Sequence, residues 1–203
     1  MMKKVLFMAL VALAGLSASA QGVMFGLRGG LNISQESKLN NDPSNDRWWR
    51  TGFNAGAAVN FEIDENWEVE TDLMYSMQGT KDKIVLASES SSETSFKVTS
   101  HYLSLPVVLK FFPTQDALYL ECGPQVGYLL SKKDNLKDVG SPVSLYDTPL
   151  AKKLDFGVLA GVGYRFPNYF FIEGRYVHGL TDTYKPCRGG KNRNFQLAVG
   201  YFF

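Results

Sequence analysis

The chain carries two histidines, His101 and His178. A centre for acyl transfer or lipid hydrolysis needs a histidine within reach of a serine nucleophile and a carboxylate. Ser100, Ser104 and Asp182 could supply them. Serine and aspartate are common in polar connections, and no amphipathic helix precedes Gly22, so enzyme chemistry is not expected. The histidines also lack clustered partners for a metal site, and no cofactor is expected. Cys122 falls mid-strand and Cys187 in a loop, at heights too different for a disulfide. Trp48-Trp49, between Arg47 and Arg50, reads as an interface anchor rather than a ligand platform. Lys132, Lys133 and Lys137 read as a solvated loop face.

A third group of residues is larger. Arg28, Glu62, Glu68, Glu70, Asp72, Lys110, Glu121, Asp155, Arg165, Glu173 and Arg175 all share a phase with glycine or small polar residues. Both signs are present. Charges buried together must pair, so these eleven residues are expected to form an ion-pair network inside whatever their strands enclose.

The elements that must position them are β-strands. In 193–203, Phe195, Leu197, Val199, Tyr201 and Phe203 alternate with Asn194, Gln196, Ala198 and Gly200. Period-two alternation indicates a strand with one apolar face, and the length suits a tilted bilayer crossing of roughly 9–11 residues. The same pattern recurs over about 22–33, 51–63, 67–78, 96–112, 117–130, 152–166 and 169–180, for eight strands in all. Pro106 and Pro124 interrupt two of them, and each lacks a ladder donor, so a bulge or register break is expected at both.

Connections alternate between long and short. The short ones are Asp64-Glu65-Asn66, 113–116 and the two-residue turn Pro167-Asn168. The long ones are polar. Short turns on one side and long loops on the other characterise an outer-membrane barrel. A soluble eight-stranded barrel would put its apolar face inside and its polar face in water. The polar phase here carries Gly26, Gly30, Gly56, Gly123, Gly127, Gly157, Gly161, Gly163 and Gly200. A water-facing surface has no need of so many glycines, whereas a narrow lumen does. Trp67, Phe111, Phe112, Phe166, Tyr169, Phe170, Phe202 and Phe203 cluster near the short turns and the C-terminus. Tyr75, Tyr102, Tyr128 and Tyr176 fall most of a strand away, so two interfacial girdles are expected.

Lys3-Lys4, an apolar run over 5–16 and Ala18-x-Ala20 form a cleavable export signal over 1–20, leaving 21–203 as the barrel domain. The whole chain has 21 basic and 20 acidic residues; without Lys3 and Lys4 the balance is 19 against 20. That neutrality gives no push toward nucleic acid. The expected fold is all-β, an eight-stranded antiparallel transmembrane up-and-down barrel in an outer membrane.

With Phe25-Gly26-Leu27-Arg28-Gly29-Gly30-Leu31-Asn32, Tyr102-Leu103-Ser104-Leu105-Pro106-Val107-Val108-Leu109-Lys110 and Gly157-Val158-Leu159-Ala160-Gly161-Val162-Gly163, the chain resembles the PorT-like outer-membrane barrels of Bacteroidota. It is more loosely similar to the OmpA/OmpX-type eight-stranded barrels. The resemblance implies fold and location, no catalytic residues, and a C-terminal signal, Tyr201 and Phe203, for the barrel-insertion machinery. Expected partners are outer-membrane lipids, that machinery and an unidentified extracellular partner of the loops. The expected function is non-enzymatic: adhesion, interaction or envelope integrity. A narrow small-solute channel is the alternative, and a lipid-modifying enzyme a more distant one.

Overall fold

The computed structural model describes residues 22–37, 47–85, 93–113, 117–135, 153–182 and 191–203. The expected signal over 1–20, Lys137, Cys187 and the middles of the long connections lie outside these residues. Eight strands form: β1 (Val23–Glu36), β2 (Arg47–Glu62), β3 (Trp67–Val85), β4 (Glu93–Phe111), β5 (Leu118–Asn135), β6 (Leu154–Arg165), β7 (Phe170–Gly179) and β8 (Asn192–Phe202). Each pairs antiparallel with its sequence neighbour, and β1 pairs with β8, so the sheet closes into a barrel. Closure satisfies backbone groups that an open edge would leave bare in lipid.

Alternation sets the faces. Along β4, Tyr102, Ser104, Val108 and Lys110 are buried while Leu103, Leu105, Val107 and Leu109 stand on the outside. On β8 the same split separates Asn194 and Ala198 from Phe195, Leu197, Val199 and Tyr201. The outer wall is therefore a belt of leucine, valine and aromatic side chains. In water a continuous patch of that size would drive association; in a bilayer it is the required surface.

The ladder corrects several expectations. Neither proline breaks register: Pro106 stays paired with Gln125 and Pro124 with Val158. The Thr71 hydroxyl donates to the Pro106 carbonyl at 3.1 Å. The shifts fall instead between His101 and Tyr102 and between Trp49 and Asn54; each proline interrupts pairing on one side, Pro106 toward β3 and Pro124 toward β4, while the register on either side of the gap is kept. The β6–β7 turn is longer than two residues. Phe166 N–H donates to the Phe170 carbonyl at 2.7 Å, enclosing Pro167, Asn168 and Tyr169. Tyr169 takes the left-handed conformation (φ 64°) that a three-residue hairpin loop requires at its last position.

Five strands also run further than expected, β1 among them, which continues to Glu36. β2 starts at Arg47, β3 continues to Val85, β4 begins at Glu93 and β5 continues to Asn135. Those extensions are mostly polar, Trp48-Trp49 and Ile84-Val85 excepted, and by composition read as loops. Outside the hydrocarbon, backbone pairing needs no apolar face, so polarity there does not separate strand from loop. The ten residues of β7 rise about 25 Å along a membrane normal at a tilt near 40°. The 18 and 19 residues of β5, β3 and β4 rise nearly twice as far, so one side of the wall projects beyond the bilayer toward the long connections.

Candidate functional site in the lumen

Eight strands leave an interior only wide enough for side chains, and here they occupy it in layers. The middle layer is ionic. Arg175 on β7 spans three strands' worth of carboxylates: Asp72 at 2.6 Å, Glu70 at 2.8 Å, Glu121 at 2.6 Å and Glu173 at 3.0 Å. Arg28 on β1 meets Glu70 at 3.0 Å and also contacts Asp72 and Glu173. Lys110 on β4 meets Glu70 at 2.6 Å and lies 4.0 Å from Glu121. All seven are buried. Glu70, Glu121 and Glu173 bring oxygens within 4.8 Å of one another, as a metal site would. The guanidinium groups and the Lys110 ammonium already occupy those oxygens, so the donor set serves the protein's own cations.

Below, toward the short turns, lies an aromatic layer. Tyr119, Phe171, Phe202 and Phe112 are buried there. The Tyr119 hydroxyl donates to Glu173 at 3.0 Å, and Lys110 Nζ sits 4.3 Å from the Tyr119 ring centre. Phe171 and Phe202 pack with ring centres 5.0 Å apart, tilted by 31°. These rings fit because glycine faces them: a Cβ on Gly163 would overlap Tyr119, and one on Gly200 would overlap Phe171. Arg165 closes the layer, donating twice to Glu68 at 2.7 and 2.6 Å while lying over Phe112 and Phe202.

Above the ionic layer the groups are neutral. Asn54 Nδ2 donates to Asn32 Oδ1 at 2.6 Å, and Asn32 Nδ2 donates to Ser76 Oγ at 2.8 Å. Ser100 Oγ, Ser104 Oγ and both side-chain polar atoms of Asn194 are buried without a partner. Near the outer mouth, Asn192 Nδ2 donates to Asp155 at 2.6 Å and to the Tyr102 hydroxyl at 3.2 Å, Thr181 donates to Asp155 at 2.6 Å, and Lys132 pairs with Glu36 at 2.8 Å.

The eleven charged residues expected in one network thus divide. Arg28, Glu70, Asp72, Lys110, Glu121, Glu173 and Arg175 are joined, and Glu68 with Arg165 forms a separate pair below them. Asp155 stands apart at the upper mouth. Glu62 is exposed at the lower mouth, beside Asp64, Glu65, Glu68 and Arg165 around a cavity of about 690 Å³, and belongs to no network. Its strand ends at that residue, so the correct phase no longer implies an enclosed side chain.

Three residues expected in the girdles point inward instead: Phe112, Phe202 and Tyr102 are 7%, 1% and 2% exposed. Proximity to a strand end suggests the girdle for them, and phase decides against it. Phase alone would have found them, since each shares parity with lumen neighbours such as Lys110, Gly200 and Ser104. Other girdle residues meet aromatic neighbours on the outside, Trp67 with Phe111 at 4.6 Å and Phe170 with Tyr201 at 5.0 Å. Tyr201 and Phe203 are exposed on the outer wall. Lys132, read as a loop cation, is a lumen residue by its pairing with Glu36.

The enzyme candidates do not converge. Ser100 and Ser104 face the lumen, whereas His101 faces outward and its Nδ1 lies 2.6 Å from the Tyr75 hydroxyl. His178 is likewise outside, 3.3 Å from the Tyr176 hydroxyl. A wall one backbone thick separates base from nucleophile. Trp48 and Trp49 are both exposed, and Trp49 packs on Phe195 at 5.6 Å. Cys122 is exposed and free.

No curated protein sequence matches the chain. Among solved structures it is similar to Neisserial surface protein A, with TM-score 0.53 and 16% identity over 90% of this chain and 100% of that one. It also aligns with OprG of Pseudomonas aeruginosa, at TM-score 0.47 and 15% identity over 90% and 96% of the two chains. Ail of Yersinia pestis aligns at TM-score 0.46 and 16% identity over 91% and 100%. The first likeness supports the small-barrel fold. The family model described as "Outer membrane protein beta-barrel domain" matches residues 18–185. With the closed eight-stranded wall and its lipid-facing belt, this establishes that the chain belongs to that outer-membrane barrel family and resides in the outer membrane.

Proposed function

We propose that this is a non-enzymatic outer-membrane protein whose lumen is structural and whose activity lies on the long-connection side, in adhesion, interaction with an extracellular partner or envelope integrity. The observation that supports this is the filled lumen: an ionic layer rests on an aromatic layer, with every strand contributing. A side-chain plug of that kind leaves the projecting β2–β5 wall and its connections as the surface available to a partner. The separation of His101 from Ser100 and Ser104 favours a protein that does no lipid chemistry.

The test is conductance of the purified protein in planar bilayers. No steady unitary current is expected; steady openings would overturn the plugged lumen in favour of a narrow solute channel. That second reading draws on Ser100, Ser104 and Asn194, whose unpartnered atoms line the upper lumen. Photo-cross-linking from the connections after β1, β3, β5 and β7 in intact cells is expected to capture an extracellular partner.

Two further assignments are supported, one by the residue pattern of 1–20 and one by the resemblance to PorT-like barrels. Residues 1–20 act as a cleaved export signal, so the mature N-terminus is expected at Gln21. Tyr201 and Phe203 act as the signal read by the insertion machinery; replacing both with serine is expected to leave protein in the periplasm rather than in the membrane.

A further inference from the structure

The outward face of the last strand changes character along its length. Val199 and Leu197 are exposed apolar residues, Phe195 follows, and Arg193 and Lys191 come next in the same alternation. The order is hydrocarbon, aromatic ring, cation, cation, which is the depth profile of one leaflet from its interior to its headgroups. Neighbouring strands reinforce it. Tyr176 and Trp49 pack on Phe195 at 4.6 and 5.6 Å. One step further out, His178 is the direct cross-strand partner of Arg193, which places their side chains about 5 Å apart at the Cβ atoms.

Three features suit this patch to an anion. Arg193 is exposed and has no ion-pair partner among the described residues. Lys191, half-exposed and one residue before the strand begins, adds a second full charge beside it. The His178 ring has its Nδ1 against the Tyr176 hydroxyl at 3.3 Å, which orients the ring; in the tautomer whose Nδ1 accepts from that hydroxyl, Nε2–H is left to donate. The patch lies on the outside of the wall and at the long-connection end, so what it meets is the headgroup layer of the outer leaflet. The cations of the lumen, by contrast, are consumed by carboxylates.

We infer that Lys191, Arg193 and His178 form a binding site for the phosphate of a phosphorylated outer-leaflet glycolipid, with Tyr176, Phe195 and Trp49 seating the start of its acyl chains. Arg193 supplies the planar fork that matches phosphate oxygens, Lys191 a second charge, and His178 a fixed donor. The inference concerns the lipid around the barrel and is independent of which partner the connections engage.

The test is titration of detergent-solubilised full-length protein with lipid A, read by native mass spectrometry, beside the same lipid after removal of its phosphates. The wild-type protein is expected to retain the phosphorylated lipid and to bind the dephosphorylated form far more weakly. The double variant Lys191→Gln/Arg193→Gln is expected to bind lipid A roughly 25-fold more weakly, about fivefold per cation removed. The charge-preserving exchange Lys191→Arg/Arg193→Lys should retain most of the affinity, and the folded state of each variant is checked by its heat-dependent mobility in SDS. Equal binding of the two lipid forms by the wild-type protein would overturn the inference without any variant. Unchanged affinity in a folded double variant would overturn it as well.

Discussion

The middle and the upper lumen are built by the same eight strands at successive heights, yet they solve burial differently. In the middle, Arg28, Lys110 and Arg175 are matched to Glu70, Asp72, Glu121 and Glu173. Above, Asn32, Asn54 and Ser76 share hydrogen bonds, while Ser100, Ser104 and Asn194 keep buried atoms unpartnered. A charge stripped of water costs far more than an amide or hydroxyl in the same position. The ionic layer is therefore paired largely within itself, three cations meeting four carboxylates, and only Asp72 Oδ1 among its carboxylate oxygens lacks both a hydrogen bond and an ion pair. The neutral layer can leave groups for water, which is small enough to enter from the outer mouth. The middle is an ionic plug, and the upper lumen is a buried neutral polar layer above it.

This contrast orders the expected effects of substitution. The largest is Arg175→Met, which removes the guanidinium shared by four carboxylates and leaves them buried without it. A loss of about 3–5 kcal/mol is expected, measured by denaturant unfolding in lipid vesicles; a loss below about 1 kcal/mol would mean that water already solvates the middle layer. Next is a charge on the outside of the wall. Leu197→Arg should cost about 2–4 kcal/mol if it sits near the bilayer midplane, whereas Gln196→Arg, on the lumen side of the same strand, should cost less. Equal costs would remove the distinction between the two faces.

The neutral layer should respond more weakly. Asn32→Ala removes the amide between Asn54 and Ser76 and is expected to cost about 1–2 kcal/mol, because water can replace part of what is lost. The smallest effect is Ser104→Ala, whose hydroxyl has no protein partner; a change within about 0.5 kcal/mol is expected in the same unfolding measurement. A large loss there would show that the hydroxyl holds an ordered bond, and the upper lumen would then be as fully constrained as the middle.

Much of the barrel was legible as sequence. Phase, a property of adjacent residues, places Arg28, Glu70, Asp72, Lys110, Glu121, Glu173 and Arg175 on one face and Leu197 and Val199 on the other without knowledge of any partner. The misplacements arose where a second rule displaced phase. Phe112, Phe202 and Tyr102 lie near strand ends, where girdles are expected, yet phase turns them inward, and Glu62 has lumen phase but its strand stops there. The extensions of β3, β4 and β5 were illegible for a different reason: beyond the bilayer, side-chain polarity no longer reports backbone pairing.

By itself, then, the sequence determined the strands, their two faces and the side of the wall that meets lipid, because a period of two is written into neighbouring residues and a bilayer tolerates one choice of outer face. Only the tertiary structure decided which charges meet. Arg175 reaches Asp72 and Glu70 across 103 and 105 residues of chain, and Arg165 reaches Glu68 across 97. Those distances depend on where the barrel closes and how far each strand is staggered against the next. Closure and stagger are properties of all eight strands together, so no local pattern encodes them.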